Sequence, residues 1–229
     1  METQEPEKKP YKTPWLVPLL LWSYRIWGAV VWWWLGKAKV FGRENVPKTG
    51  GLMILANHLS ITDPPFTQFV CPRRIFFMAS DEIFGWGFAG KFARWYGAVP
   101  VKTKSADRAA LRRCGEILKE GGALVVYPEG GTSPGGLQPL FSGPAMLVRQ
   151  TDCTVICLGL RNTNEIIAHN EFKTHRAKNS IEAHWGMPKK FEPKTSGEEI
   201  MAWAEEELLR LSAQTKALPE AQNHQSSQP

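Results

Sequence analysis

One histidine and one aspartate constrain the fold of this chain more than any other feature. His58 and Asp63 are separated by four residues and follow the apolar run 52–56. A short apolar run predicts a buried strand of a parallel sheet, and α/β proteins place their sites at the carboxyl ends of such strands. Five residues of straight helix rotate a side chain by about 140°, so the two side chains can meet only if the chain turns between them. The spacing therefore predicts a turn that joins a base to an orienting carboxylate.

Two structural alternatives to catalysis are open for this pair. Asp63 precedes Pro64, and an aspartate before a proline at the first helical position is an ordinary helix N-cap. His58 considered alone is equally compatible with a structural histidine. Capping and catalysis do not exclude each other, so this segment does not decide between them.

A second motif has the same arrangement of strand and loop. Residues 127–133 read Tyr-Pro-Glu-Gly-Gly-Thr-Ser and follow the apolar run 123–126. Glycines beside a carboxylate let the backbone approach a ligand, and their N–H groups can form a concave anion site. The alternative is a plain glycine turn, because Gly and Ser/Thr clusters are common in α/β loops.

Together and in this order, the two motifs resemble those of the glycerolipid acyltransferases, specifically the 1-acyl-sn-glycerol-3-phosphate (lysophosphatidic acid) acyltransferases. The family's His-x-x-x-x-Asp box matches at His58 and Asp63, and its Pro-Glu-Gly-Thr-Arg-Ser box aligns with residues 128–133. The block 97–101 looks like the one that precedes the family's substrate-binding basic residue. The resemblance covers roughly residues 39–191.

Three departures from the family pattern concern the acceptor. Gly131 and Thr132 stand where the family often has Thr-Arg, so the arginine expected to hold the acceptor's phosphate is missing. The middle block continues with Lys102 and Lys104 instead of Asp-Arg, and either lysine can act as a point charge in its place. The late block 155–158 lacks the family's proline. A different acceptor headgroup is therefore an open alternative.

The resemblance implies transfer of a fatty acyl group from acyl-CoA or acyl-carrier protein to the free hydroxyl of a lysolipid phosphate. His58 is expected to act as general base, with Asp63 fixing its tautomer and no covalent acyl-enzyme. No cofactor and no metal are expected. The residues expected to bind substrate are Glu129, Gly130, Gly131, Ser133, Lys102 and Lys104. The alternatives are an acyltransferase for another lysolipid, or a lipid-binding peripheral membrane protein without activity.

Charge and cysteine usage narrow the partners and the compartment. The net charge of +6 favours anionic partners, and no known nucleic-acid module is present, so we expect a phospholipid membrane and no nucleic acid. The four cysteines include no C-x-x-C pair and complete no zinc pattern, which agrees with a reducing compartment. We therefore expect a membrane-associated protein on the cytoplasmic face.

The N-terminal region carries the membrane signal. Six of the ten tryptophans lie between Trp15 and Leu35, a stretch whose helical length would just span a bilayer. Arg25 near its centre would cost about 3 kcal/mol in a spanning helix. We expect a helix lying in the headgroup region, with a tilted span as the alternative; a core helix packed on the sheet is disfavoured by so many tryptophans.

The remaining pattern predicts an α/β fold, a mostly parallel mixed sheet flanked by helices with a tryptophan-rich membrane-associated helix at the N-terminus. Strands are predicted at 52–56, 75–79, 98–101, 123–127, 154–160 and 180–185, and helices at 64–70, 82–96, 106–119 and 143–150. A capping box of Ser196 and Glu199 begins a last helix. The predicted organisation is a polar head at 1–12, the membrane-associated helix at 13–36, the acyltransferase domain at 37–211 and a disordered tail at 212–229.

Overall fold

The computed structural model describes residues 17–85, 87–101, 108–133, 136–169, 171 and 173–216. Within them the strands are β1 (Lys39–Phe41), β2 (Leu52–Ala56), β3 (Ile75–Ser80), β4 (Val99–Val101), β5 (Ala123–Val126), β6 (Thr154–Arg161) and β7 (Glu182–Trp185). The helices are α1 (Val17–Gly36), α2 (Asp63–Val70), α3 (Gly87–Tyr96), α4 (Arg108–Lys119), α5 (Gly143–Thr151) and α6 (Gly197–Ser212).

The strands form one mixed sheet in the order β1-β7-β6-β2-β5-β3-β4. All neighbouring pairs are parallel except β6 and β7. Every residue of β2 and β5 is buried, as expected for central strands covered on both faces. The predicted α/β architecture is thus confirmed, and its carboxyl-end edge brings the loops after β2, β5 and β6 together.

Two apolar layers cover the sheet. One contains Trp32 of α1, Phe66 of α2 and Ala93 of α3, packed on one face. The other contains Cys114 of α4, with further side chains of α5 and α6, on the opposite face. Ser196 is the N-cap of α6, as predicted, since the backbone N–H of Glu199 donates to its Oγ at 3.1 Å.

Three details differ from the sequence prediction. β1 lies in a stretch where no strand was predicted, and the predicted helix at 82–96 is a 3-10 helix, Asp81–Gly85, followed by α3. The tail predicted to be disordered from 212 begins in an ordered way: α6 includes Ser212, and the carbonyl of Thr215 accepts the backbone N–H of Leu137 at 2.9 Å. The polar head at 1–12 and the rest of the tail, 217–229, lie outside the described residues.

Helix α1 packs against the domain along one face. Trp32 is 5% exposed, with its ring centroid 5.0 Å from that of Phe66, and the hydroxyl of Tyr24 donates to the carbonyl of Pro65 at 2.7 Å. The sequence disfavoured packing of this helix on the domain, but Trp32 lies in the core.

The opposite face of α1 is apolar and exposed. Its side chains are Ile26, Trp27, Val30, Val31, Trp33 and Trp34, with Trp27 71% exposed. Among the described residues, no helix is both long enough and apolar enough to cross a membrane. One helix therefore presents a packed stripe to the protein and an apolar stripe to its surroundings.

Candidate active site

His58 and Asp63 meet at the carboxyl end of the central strand β2, as the spacing predicts. The chain turns after Ala56 and α2 begins at Asp63, which places Nδ1 of His58 2.8 Å from Oδ2 of Asp63. The aspartate side chain is fully buried, whereas the histidine side chain is 17% exposed. With the carboxylate ionised, Nδ1 donates its hydrogen to Oδ2 and Nε2 keeps the lone pair that accepts a proton.

The Asp63 carboxylate binds the loop before the helix. Besides the ring of His58, Oδ2 accepts the backbone N–H groups of Leu59 at 2.6 Å and Ser60 at 2.8 Å. Oδ1 is buried and has no hydrogen-bond partner among the described residues. Because the helical N-cap position belongs to Thr62, the geometry is that of an orienting carboxylate and differs from an ordinary cap.

Tyr127 supports the other side of the imidazole. Its ring stacks on that of His58 with centroids 4.2 Å apart and planes at 23°, and its hydroxyl lies 3.2 Å from Oγ1 of Thr67. Burial, with a further contribution from the charge of Asp63, raises the pKa of Tyr127 well above its usual value. The residue therefore remains a neutral phenol that fixes the plane of the His58 ring.

Glu129 joins the two motifs through the backbone. Oε1 accepts the N–H of His58 at 2.7 Å, and Oε2 accepts the N–H of Gln138 at 2.9 Å. Burial raises the pKa of Glu129, while these two hydrogen bonds act in the opposite direction. A further link comes from Ser133, whose N–H donates to the carbonyl of His58 at 2.9 Å. Glu129 thus uses both carboxylate oxygens within the protein.

The two glycines of the second motif differ in their surroundings. Gly130 has a φ of +76°, and a Cβ there would lie 2.6 Å from the ring of Phe141. Gly131 has no described atom within 4 Å of a built Cβ, so it borders open space. The first glycine is required by the turn, and the second leaves room beside the backbone of the second motif.

The hydroxyls of the second motif bind other parts of the protein. Oγ of Ser133 donates to the carbonyl of Gly136 at 3.2 Å and accepts from the amide of Gln138 at 2.7 Å. Oγ1 of Thr132 lies 2.8 Å from Nδ1 of His169, in the loop after β6. No motif of the sequence singles out His169, and only the fold brings it to this position.

Asn57, the residue before His58, ties β2 to β6 and to the segment after α6. Its side chain exchanges two hydrogen bonds with the backbone of Leu160, at 3.0 and 2.7 Å. Its Nδ2 also donates to Oε1 of Gln214 at 2.8 Å. The backbone at His58 is therefore held from three elements.

The basic residues considered for the acceptor's anion are the two predicted lysines and, from the fold, Arg161 at the end of β6. Lys102 and Lys104 lie outside the described residues, although β4, which precedes them, is parallel to β3 and ends on the same edge as β2 and β5. Arg161 at the end of β6 donates to the carbonyl of Leu211 at 3.0 and 2.8 Å and lies 3.7 Å from a carboxylate oxygen of Glu182. Its guanidinium is therefore already bound within the protein. The described residues contain no group of three or more His, Cys, Asp or Glu that could hold a metal ion.

The fold and this constellation define a class of protein. A family model described as Acyltransferase matches residues 37–161, more than half of the chain, and the chain belongs to this family. The solved structure of PlsC from Thermotoga maritima, a 1-acyl-sn-glycerophosphate (LPA) acyltransferase, has the same fold, with a TM-score of 0.70, 23% identity, and 84% of this chain and 78% of that one covered.

The curated relatives include enzymes whose names give two different lipid acceptors. The 1-acyl-sn-glycerol-3-phosphate acyltransferase of Borreliella burgdorferi is 27% identical over 144 residues, which cover 60% of this chain and 57% of that protein. The lyso-ornithine lipid O-acyltransferase of Pseudomonas aeruginosa is 30% identical over 120 residues, which cover 50% of this chain and 46% of that protein. The chain thus spans about half the length of these relatives.

Proposed function

We propose that this protein moves a fatty acyl group from a thioester of coenzyme A or acyl-carrier protein to the free hydroxyl of a lysolipid phosphate. The proposed acceptor is lysophosphatidic acid and the product is phosphatidic acid. One observation carries the proposal: an imidazole with 17% exposure is held at 2.8 Å by a fully buried carboxylate, at the end of a central strand. This arrangement suits the removal of a proton from a hydroxyl.

In the proposed reaction, Nε2 of His58 takes the proton of the acceptor hydroxyl. At the same time, the hydroxyl oxygen forms a bond to the carbonyl carbon of the thioester. The carbon–sulfur bond then breaks, and the imidazolium returns the proton to the departing thiolate. Asp63 keeps Nδ1–H in place and stabilises the imidazolium. The acyl group passes directly from donor to acceptor, without a covalent acyl-enzyme, cofactor or metal.

The loop of the second motif is the proposed acceptor surface. Gly131 borders open space beside the catalytic loop, so a substrate can approach its backbone there. Gly130 and Ser133 shape the same turn, and Glu129 contributes by holding the backbone N–H of His58. Lys102 and Lys104 are the proposed phosphate contacts; substituting both with alanine should raise KM for lysophosphatidic acid about 10- to 100-fold.

A second acceptor is supported by one specific observation. Two lyso-ornithine lipid O-acyltransferases, from Pseudomonas aeruginosa and Rhodobacter capsulatus, are 30% and 35% identical to this chain over 120 and 88 residues. The same base and carboxylate can acylate the hydroxyl of such a lipid, because the chemistry at the hydroxyl does not depend on the headgroup. The alternative function is therefore acylation of another lysolipid.

The test is lipid mass spectrometry of the purified protein with a panel of acceptors and donors. The panel pairs lysophosphatidic acid, lyso-ornithine lipid and lysophosphatidylcholine with acyl-CoA and acyl-carrier protein. We expect the largest kcat/KM for lysophosphatidic acid. A larger value for lyso-ornithine lipid would establish the alternative, and no product from any pair would reject the proposed activity.

We also propose that the exposed face of α1 holds the protein on the cytoplasmic surface of a membrane. Trp27, Val30 and Trp34 lie on this face, and the guanidinium of Arg176 lies 6.0 Å from the ring centroid of Trp34. Apolar side chains with cations beside them, in a chain of net charge +6, suit an anionic lipid surface.

Vesicle binding tests this attachment. Burying an apolar side chain is worth about 1.5–3 kcal/mol, so the variant Trp27→Ser/Val30→Ser should bind anionic vesicles at least about tenfold more weakly. Met187→Ser removes a 66% exposed apolar side chain outside α1 and is the matched control. Equal binding by the α1 variant and the control would reject the attachment.

A further inference from the structure

His169 is held at the site by a residue of the second motif. Its Nδ1 lies 2.8 Å from Oγ1 of Thr132, which stands 37 positions earlier in the chain. The next residue after Thr132 is Ser133, whose backbone N–H donates to the carbonyl of His58 at 2.9 Å. A second histidine is therefore fixed to the loop that borders the catalytic one.

The segment before His169 is fixed independently by the loop of the first motif. Oγ of Ser60, which lies between His58 and Asp63, donates to the carbonyl of Ile167 at 2.7 Å. The preceding residue, Ile166, is fully buried in the core. Both motif loops thus hold the short segment 166–169, one on the backbone and one on the imidazole.

The hydrogen bond to Thr132 leaves one ring nitrogen for a ligand. A neutral imidazole that accepts the threonine hydroxyl at Nδ1 carries its hydrogen on Nε2, and a protonated imidazole carries one on both nitrogens. Nε2 is a donor in both of these states, and it is an acceptor only in the other neutral tautomer, in which Nδ1 donates to Thr132. An anion at Nε2 selects the states in which Nε2 donates. No described residue forms a hydrogen bond with Nε2. The side chain is half-buried, so part of the imidazole is open to a ligand.

The neighbouring cation does not compete for this role. Arg161 ends β6, eight residues before His169, but its guanidinium is bound to the carbonyl of Leu211 and faces Glu182. Thr132 itself is neutral and short, so its direct contact with an anion would be weak. The imidazole that it holds is the stronger donor at this position.

We infer that His169, positioned by Thr132, recognises the headgroup of the acceptor by donating from Nε2 to an anionic oxygen. The oxygen belongs to the phosphate of a lysolipid phosphate or to the carboxylate of an amino-acid lysolipid. This inference rests on the proposed function for the reaction and adds a specificity-determining residue to its site. His58 acts on the hydroxyl, and His169 holds the far end of the acceptor.

Two substitutions of His169 separate headgroup binding from loop structure. Asparagine keeps a group at the Nδ1 position and can still bind Thr132, whereas glutamine keeps a donor at the Nε2 position. We expect His169→Asn to raise KM for the acceptor about 10- to 100-fold with kcat within twofold and KM for the acyl donor unchanged. His169→Gln should restore most of the affinity. The matched control is His184→Asn, at a histidine that is bound to Glu182 on β7.

The same measurement distinguishes the two sources of the anion. A rise in KM confined to lysophosphatidic acid assigns the contact to phosphate, and a rise confined to lyso-ornithine lipid assigns it to the carboxylate. Thr132→Val should reproduce the effect more weakly and add little to His169→Asn, because it acts through the histidine. An unchanged KM for both acceptors in His169→Asn would overturn the inference and leave the proposed function intact.

A binding experiment tests the inference without turnover. The chain has five histidines, so their ring N–H signals can be followed by NMR as glycerol 3-phosphate and, separately, glycine are added. We expect the signal that is missing in His169→Asn to shift with the binding anion. If it shifts while the wild type transfers no acyl group, the headgroup site stands and the proposed reaction is wrong. If it does not shift with either probe, His169 is not the headgroup contact.

Discussion

The carboxylate of Glu129 accepts the backbone N–H of His58 at 2.7 Å, so the second motif fixes the main chain of the first. The other carboxylate oxygen is bound to the N–H of Gln138 at 2.9 Å. A glutamine at this position can accept only one of the two N–H groups, since its amide nitrogen is itself a donor. A structural role and a substrate-binding role of Glu129 therefore predict different kinetic effects of substituting this residue.

We expect Glu129→Gln to lower kcat about 10-fold or more, to change KM for the acceptor by less than about threefold, and to cost about 1–3 kcal/mol of unfolding free energy. Glu116→Gln, in an exposed ion pair on α4, is the control and should change neither quantity. Steady-state kinetics and urea denaturation check both variants. A raised KM with normal kcat and stability would assign Glu129 to acceptor binding instead.

Gly130 and Gly131 form a matched pair of alanine substitutions. Gly130→Ala places a Cβ 2.6 Å from the ring of Phe141 at a φ of +76°, so we expect lower stability and lower activity together. Gly131→Ala meets no described atom, so stability should be near that of the wild type. A loss of kcat/KM in Gly131→Ala with unchanged melting temperature would place substrate against this residue. Full activity of that variant would contradict its proposed role.

Gln214, which follows α6, supports the backbone next to His58. Its Oε1 accepts from Asn57 at 2.8 Å, and Asn57 keeps two further bonds to Leu160. One lost hydrogen bond is worth about 0.5–1.5 kcal/mol, so Gln214→Ala should lower kcat modestly, about three- to tenfold. Gln150→Ala, on the exposed end of α5, is the control. Equal kcat values for the two variants would show that the end of the chain does not support the site.

The buried thiol of Cys71 makes the free energy of unfolding fall at alkaline pH. Burial raises the pKa of Cys71 from 9.0 to about 11, so the folded state keeps a proton that the unfolded state loses. The stabilisation is complete below pH 9 and is lost as pH rises toward 11, with a slope of at most about 1.4 kcal/mol per pH unit for this group. Urea midpoints at pH 8, 9 and 10 should fall less steeply in Cys71→Ala. Identical slopes would show that Cys71 does not carry this dependence.

The sequence predicted the centre of the fold well because its signals are local. The apolar runs of β2 and β5 have to be buried, and the chain has to turn between His58 and Asp63 for the two side chains to meet. Each of these conclusions depends on residues that are close together in the chain. The position of His58 and Asp63 at the sheet edge follows from them.

The remaining features depend on contacts between distant residues. β1 has three residues and forms only by pairing with β7, about 140 positions later, so no local pattern predicts it. Trp32 has the same residue type as its exposed neighbours, and its contacts with residues of α2, such as Phe66 and Phe69, place it in the core. His169 belongs to no motif, and the fold alone brings it to Thr132. The positions of β1, Trp32 and His169 therefore depend on contacts between residues that are far apart in the chain.

The central claim is that His58 removes the proton of the acceptor hydroxyl with Asp63 as its orienting partner. General-base catalysis is worth about 10²–10⁴-fold, so His58→Ala should lose at least about 100-fold in kcat, and Asp63→Asn should lose less. Circular dichroism and the melting temperature of each variant show whether the fold survives.

The most direct measurement is kcat for acyl transfer from acyl-CoA to lysophosphatidic acid by folded His58→Ala, relative to the wild type under saturating substrates. The account predicts a fall of at least about 100-fold, with KM for both substrates near the wild-type values. A folded His58→Ala protein with near wild-type kcat would contradict it.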